Sequence, residues 1–353
     1  MLITTLVLTL LFALNVAAQS GRRKQDTTRP RPAPSPIADS GRPSGSTHQT
    51  GQGNSSTSKD PDADVAEVDV VRVSSNLVPI PASVVDHQGT AITSLKLQDF
   101  ELWVDGQLRP ISDLARSETP VRMAMLFDNS GSLDFARAFE KQAAEQFFRR
   151  VLRSSDEAAI YSVESESHLA QPLTNDVRKL EQTIESFGKP EGSTSLFDAI
   201  IDAAAYLRPY PGRRVLVIVS DGIETTSRAD FETTMHHVLA DDCQIFIVQT
   251  GLYEGANLRA LAAERRMEQL AGQTGGAAYI PHTTRELESA FREIAADLAQ
   301  QYVLSYYQPE EHRDGSFHAI ELRVKARTDV RVRARKGYYS PKGSTVAATD
   351  YVK

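Results

Sequence analysis

Met123-Ala124-Met125-Leu126-Phe127 runs directly into Asp128-Asn129-Ser130-Gly131-Ser132, and an amphipathic stretch opens behind it. A continuous apolar run closed by polar loop residues is the pattern of a strand buried on both faces. The aspartate and the two hydroxyls after it, at alternate positions, form a cluster of hard oxygen donors. Such donors suit Mg²⁺, Mn²⁺ or Ca²⁺ and do not suit zinc or copper.

Outward from this strand the chain alternates strands with amphipathic helices. Leu133 to Arg153 reads as a helix with Phe135, Phe139, Ala143, Phe147 and Val151 on one face. Ala158–Val163 is a strand. Asp176 to Phe187 is a helix striped by Val177, Leu180 and Ile184, and Ser195 to Leu207 is another, ended by Pro209. Arg214 to Val219 is an apolar strand that runs into Ser220-Asp221-Gly222. A helix at 229–240, the strand Cys243–Val248, a helix at 257–272, a short strand at Ala277–Ile280 and a helix from Arg285 to Gln301 complete the series. This order implies an α/β fold, a doubly wound and mostly parallel sheet with helices on both faces.

The flanks read as β. Leu77 to Val85 is one apolar stretch, and Asp105-Gly106 between Phe100–Val104 and Gln107–Ile111 is a strong two-residue hairpin signal. After Tyr302, Val303–Tyr307 is a strand. Ile320, Leu322, Val324 and Ala326, then Val330, Val332 and Ala334, alternate with charged residues around Thr328-Asp329, which reads as the turn of one hairpin with a solvated basic face. The segments on either side of the α/β region are expected to form a small β-sandwich-like module. The expected domains are 67–116 for the N-terminal β segment, 119–301 for the α/β domain and 302–340 for the C-terminal β segment. A flexible tail is expected at 341–353.

Residues 20–66 are rich in Ser, Gly, Pro, Thr and Asp, too poor in apolar side chains to offset the entropy of ordering, and are expected to be a disordered linker. The apolar stretch before it, ending in Val16-Ala17-Ala18, reads as a signal peptide over 1–19. The basic residues Arg22, Arg23 and Lys24 follow it rather than precede it, which keeps open an uncleaved membrane tether. The expected location is therefore exported: periplasmic, cell-surface or secreted. A net charge of −7 argues against a dedicated nucleic-acid binder. The lone Cys243 permits no intramolecular disulfide and reads as a core residue. Trp103 reads as core or hairpin packing, and His236-His237 with Asp241-Asp242 as a solvated helix face.

In a doubly wound sheet, ligands bind beyond the carboxyl ends of the strands. Three loops are expected to meet there: the one with Asp128, Ser130 and Ser132, the one with Gly192-Ser193-Thr194-Ser195, and the one with Asp221. They offer two carboxylates and several hydroxyls, which fits a six-coordinate ion with room for one more carboxylate from outside.

Asp-x-Ser-x-Ser after the first strand, a threonine in a Gly-rich turn before a helix, and Asp-Gly after a later strand resemble the von Willebrand factor type A domain over residues 119–301. The resemblance implies a metal-ion-dependent adhesion site at Asp128, Ser130, Ser132, Thr194 and Asp221. The implied ion is Mg²⁺, with Mn²⁺ or Ca²⁺ as substitutes, and the implied partner is a protein ligand presenting Asp or Glu. Asp134 departs from the spacing of a second ion site and reads as a first-turn helix charge; Asp198 reads as a helix N-terminal acid. The flanks, Asp99-Phe100-Glu101-Leu102 with Asp105-Gly106, and Tyr302–Tyr307 with Arg335-Lys336-Gly337-Tyr338-Tyr339, resemble a family of exported von Willebrand factor A-related proteins best represented in acidobacteria. The expectation is a non-enzymatic binding module; the alternative is a structural or assembly protein whose ion only stabilises the fold.

Overall fold

The computed structural model describes residues 76–341 except 88, 117, 130–136, 189–191, 251–257, 326 and 328. The expected signal peptide, the linker and the first residues of the N-terminal β segment, 67–75, lie outside the described residues, as does the tail beyond Pro341. The described chain opens with β1 (Leu77–Asp86), β2 (Phe100–Val104), β3 (Gln107–Arg109) and β4 (Asp113–Arg116). Asp105 and Gly106 join β2 to β3 with φ of 51° and 75°. Both values are positive, as a type I′ hairpin turn requires.

The α/β region then begins. Its elements are β5 (Val121–Asp128), α1 (Arg137–Val151), β6 (Glu157–Val163), β7 (Ser167–Thr174), α2 (Val177–Ser186), α3 (Leu196–Leu207) and β8 (Arg213–Ser220). After these come α4 (Phe231–Ala240), β9 (Cys243–Gln249), α5 (Leu258–Thr274), β10 (Ala278–Tyr279) and α6 (Thr284–Gln300). The sheet order is β10-β9-β8-β5-β6-β7, parallel except for β7, which pairs antiparallel with β6 at the edge.

Alternate residues of each strand feed two cores. Met123, Met125 and Phe127 face Phe147 of α1, Ile184 of α2 and Ile294 of α6. Ala124 and Leu126 face Ile200 of α3, Val238 of α4 and Leu270 of α5. Phe139 was expected on the buried stripe of α1, but it is 49% exposed. A strict four-residue spacing drifts around a helix of about 3.6 residues per turn, and at this level the buried position is Glu140, one residue on. Ala143 and Phe147 are buried as expected.

Edge strand β7 was not expected from the sequence. Its residues are half-buried and lack a clean apolar alternation, as an edge strand permits.

Asp156 locks the entry of β5. Its Oδ1 accepts from the Val121 N–H at 2.8 Å and from Arg153 Nη2 at 3.0 Å; its Oδ2 accepts from the Arg153 N–H at 3.0 Å and Nε at 2.9 Å. Burial pushes its pKa up, but the Arg153 and backbone donors outweigh this and hold it below the ordinary value. A depressed folded-state pKa gives stability that is present above the unfolded value near 3.9 and is lost as pH falls through the folded one. Asp156→Asn is therefore expected to flatten the acid limb of the urea-midpoint profile below about pH 4. An acid limb as steep as the parent's would refute this role.

The chain closes with β11 (Tyr302–Tyr307), β12 (Phe317–Val324), β13 (Val330–Ala334) and β14 (Gly337–Tyr339). These strands interleave with the first four. One sheet has the order β13-β1-β11-β4 and the other β14-β12-β2-β3. Their facing sides share one core, including Ile80, Val84, Leu102, Leu304, Tyr306 and Ile320. The result is a β-sandwich built from both flanks of the α/β region.

The hairpin expected around Thr328-Asp329 does not form. β12 pairs with β2 and β14, whereas β13 pairs with β1, so the connection crosses from one sheet to the other. Alternation marks a face for burial but does not name a partner. Splitting the two strands buries both apolar faces in the same core from opposite sides.

The basic face is also only partly solvated. Arg323 and Lys325 are exposed. Arg333 forms an ion pair with the buried Asp297 of α6 at 2.7 Å, and Arg335 pairs with Asp242. These arginines fasten the sandwich to the α/β region. Arg213, at the start of β8, donates to Leu298 O at 3.1 Å and to Gln301 Oε1 at 2.5 Å. Gln301 in turn donates to Gln244 Oε1 at 3.2 Å, at the start of β9. The sandwich thus meets the parallel strands at their amino ends.

Trp103 lies on the outer face of β2, not in the core, with the Arg323 guanidinium 5.4 Å from its ring centroid. Cys243 is buried, and burial pushes its thiol pKa up, as suits an inert core residue. His236 is exposed but packs on Tyr339 with ring centroids 4.4 Å apart, so that helix face is covered in part by β14. Among the described residues no helix is long and apolar enough to cross a membrane.

Candidate ion-binding site

Parallel pairing brings the carboxyl ends of three strands together. Phe127 lies opposite Val219, and Asp128 opposite Val163. Asp128 is therefore delivered beside Ser220 and Glu164. Ser220 Oγ donates to Asp128 Oδ2 at 2.5 Å and accepts from the Gly222 N–H at 2.9 Å. One hydroxyl thus joins the Asp128 loop to the Asp221 loop. Asp221 Oδ1 accepts from the Ile223 N–H at 2.8 Å, and its carbonyl accepts from Gln249 Nε2 at 2.9 Å. Gly222 has φ +78°, and a Cβ there would lie 2.9 Å from Met267 Cγ, so the turn after Asp221 needs glycine.

Thr194 is held by the same loop. Its N–H donates to Thr225 Oγ1 at 2.7 Å, and its carbonyl accepts from Thr225 N at 3.0 Å and Thr226 N at 3.2 Å. These bonds fix the Thr194 backbone without using its hydroxyl. Asp128, Thr194 and Asp221 are all at least 96% buried. The loop 220–226 touches the surroundings of each. Ser130 and Ser132 lie outside the described residues, as does Asp134.

Several positioning residues were not singled out in the sequence. Glu164 Oε1 accepts from Asn129 Nδ2 at 2.8 Å and from Ser162 Oγ at 3.1 Å. The Glu164 carbonyl accepts from Ser195 N at 2.7 Å and Oγ at 2.9 Å. Ser195 precedes α3, yet its hydroxyl does not cap that helix. Glu224 does so from the neighbouring loop, accepting from the Phe197 N–H at 3.0 Å, and it also binds Thr226 and Ser227. Asp198 stands in the first turn of α3, as expected, and accepts from the Arg228 and Ala229 N–H groups at 2.9 and 3.0 Å. The clustering of Glu224, Thr225, Thr226 and Ser227 just past Asp221 was the available signal. Such runs favour side-chain-to-backbone bonds in turns.

The donor set fits a hard divalent cation. Two buried carboxylates and a hydroxyl offer oxygen alone, and Cys243 lies at the opposite end of its strand, beside Arg214. Buried carboxylates also carry a desolvation cost that a cation offsets.

Residues 123–224 match the family model of the von Willebrand factor type A domain. Among curated proteins, none matches the chain. The chain is similar to a von Willebrand factor type A structure from Catenulispora acidiphila, at 10% identity over 77% of this chain and 76% of that one, with a TM-score of 0.46. It is similar to an aerotolerance-related membrane protein from Bacteroides fragilis NCTC 9343, at 16% identity over 50% of this chain and 98% of that one, with a TM-score of 0.40. It is also similar to a mutant of the PilB minor pilin from Streptococcus sanguinis, at 11% identity over 64% and 79%, with a TM-score of 0.43.

Proposed function

We propose that this protein is an exported, divalent-metal-dependent binding module that captures an acidic residue of a partner protein. Asp128, Ser130, Ser132, Thr194 and Asp221 hold Mg²⁺, with Mn²⁺ or Ca²⁺ able to substitute, and a partner Asp or Glu completes the sphere. The carrying observation is that Asp128 and Asp221, both buried, are joined through Ser220 at the carboxyl ends of adjacent parallel strands. Two carboxylates against a divalent ion leave the site near neutral and receptive to one more acid. The family match over 123–224 supports the same reading. So does the resemblance of the flanks to the exported, acidobacteria-rich relatives of the type A domain.

The role is holding rather than chemistry, so no catalytic residue is assigned. The protein works outside the cytoplasm, in the periplasm, at the cell surface or after secretion, with the N-terminal segment as either a cleaved signal or a tether. Its partner is a protein and not a nucleic acid.

The test is capture of extracellular proteins on the immobilised chain in Mg²⁺, followed by elution with EDTA. Partners released by EDTA and restored by Mg²⁺ are the expected result. Capture indifferent to EDTA sinks the proposal. A metal-dependent rise in melting temperature with unchanged capture would instead assign the ion a structural role.

A further inference from the structure

A second cluster of ligating side chains lies in the sandwich, away from the ends of the parallel strands. Asp105 stands in the β2–β3 turn, His318 on β12, and His312 in the 3-10 turn Glu310–His312. One atom from each, a ring nitrogen or a carboxylate oxygen, can be chosen so that all three lie within 4.8 Å of one another.

Asp105 is locked in place. Its Oδ1 accepts from the Ala319 N–H at 2.9 Å, and its Oδ2 is 2.8 Å from His318 Nδ1. Two ligands of one tetrahedral ion lie about 3.3 Å apart, so an ion entering between Asp105 Oδ2 and His318 Nδ1 has to part them by only about half an ångström. The other ring nitrogen, Nε2, is held from the opposite edge by oxygen atoms: Ser316 Oγ and His312 O at 3.2 Å each, and Asp314 Oδ1 at 3.7 Å.

His312 supplies an independent observation. Its Nδ1 is buried and has no hydrogen-bond partner. Its ring stacks on His318, with centroids 4.4 Å apart and planes 3° apart. Parallel rings direct their in-plane lone pairs side by side, so two such nitrogens do not converge on one ion until one ring turns. His318 has oxygen partners at both nitrogens, whereas turning His312 sacrifices no bond at Nδ1.

We propose that Asp105, His312 and His318 form a transition-metal site of the Zn²⁺ class, closed when His312 turns out of the stack. Two imidazoles with a carboxylate select Zn²⁺ or a similar metal over Mg²⁺, the reverse of the all-oxygen set around Asp128. Three protein ligands leave a fourth position for water. The ion staples the 310–318 segment to the β2–β3 hairpin. It therefore ties together two parts of the sandwich that lie more than 200 residues apart in sequence.

The test is a Zn²⁺ titration of the purified, EDTA-stripped chain in excess Mg²⁺, repeated with Co²⁺ for its visible spectrum. One equivalent is expected to bind. His318→Gln and His312→Ala are each expected to weaken binding by about 100-fold or more, beyond the roughly 10–100-fold that loss of an outer partner of a metal ligand costs. Asp128→Ala leaves it unchanged. Melting of each variant in EDTA separates metal loss from misfolding; should His318→Gln fail to fold, His312→Ala at the exposed turn decides. No binding in excess Mg²⁺, binding retained in both histidine variants, or binding lost in Asp128→Ala overturns the proposal.

Discussion

Gly276→Ala is expected to abolish accumulation of folded protein. Gly276 lies between α5 and β10, with its N–H donating to Ala271 O at 2.9 Å. A Cβ there would sit 1.8 Å from Ile245 O and 2.7 Å from Ile245 C. Both atoms are backbone of β9, fixed on one side by β8, so no flexible side chain can yield. Overpacking usually costs about 1–3 kcal/mol by displacing side chains. Displacing a ladder strand belongs to the exceptional class above about 4 kcal/mol. That is a large part of the roughly 5–15 kcal/mol that holds a domain folded. The control is Gly272→Ala on α5, where a Cβ meets nothing within 4 Å and helix propensity favours alanine by about 1 kcal/mol. Soluble yield and urea midpoints decide; a Gly276→Ala protein within about 1 kcal/mol of the parent refutes the packing argument.

Asp128→Ala is expected to remove both Mg²⁺-dependent stabilisation and Mg²⁺-dependent capture of partners. A ligand at about 100 times its Kd adds about 2.7 kcal/mol to the stability of the form that binds it. The parent should therefore melt higher in saturating Mg²⁺ than in EDTA, and the variant should melt alike in both. The variant also strands Ser220 Oγ, whose acceptor is the lost carboxylate, at a cost of about 1–3 kcal/mol. That cost appears in EDTA as well, so comparing conditions within each protein isolates the ion. Thr194→Ala removes a hydroxyl while the Thr225 and Thr226 bonds keep its backbone in place, and should give the same pattern. An undiminished Mg²⁺ shift in Asp128→Ala would remove this residue from the ion site.

The α/β region was legible because its periodicities are strong. Continuous apolar strands such as Val215–Val219 and striped helices such as α2 satisfy one template and no other. The meeting of the Asp128 and Asp221 loops was legible because strand ends in a parallel sheet converge by geometry; Thr194, in the loop before α3, is brought in by its bonds to Thr225 and Thr226. Glu164 and Glu224 were not legible, because their carboxylates accept from Asn129 Nδ2 and the Phe197 N–H, 35 and 27 residues away, which no local pattern encodes. Strand pairing in the sandwich escaped for a related reason. β12 and β13 display the right faces, but which strand each adjoins depends on segments more than 200 residues upstream. The junction arginines Arg333 and Arg335 looked like solvated charges because their partners, Asp297 and Asp242, are equally ordinary in sequence.

The interleaving of the sandwich strands dictates an order of assembly. β1 has Tyr307 and Ala334 among its register partners, so it finds no neighbouring strand until the strands after α6 have emerged; β2 has its hairpin partner β3 at once, but its other neighbour, β12, arrives as late. The α/β region between them contains all of its own partners and can form first. During synthesis the first strands wait with open ladder edges, the situation in which strands pair with the wrong chain. Pairings of such high contact order are intrinsically slow. Refolding is therefore expected in two phases, a fast one reported by helix and a slower one reported by Tyr306 and Tyr338 as the sandwich closes around them. A chain cut short before Tyr302 should be released with its helical region folded and with β1 and β4 lacking their ladder partner β11, a natural substrate for holding chaperones.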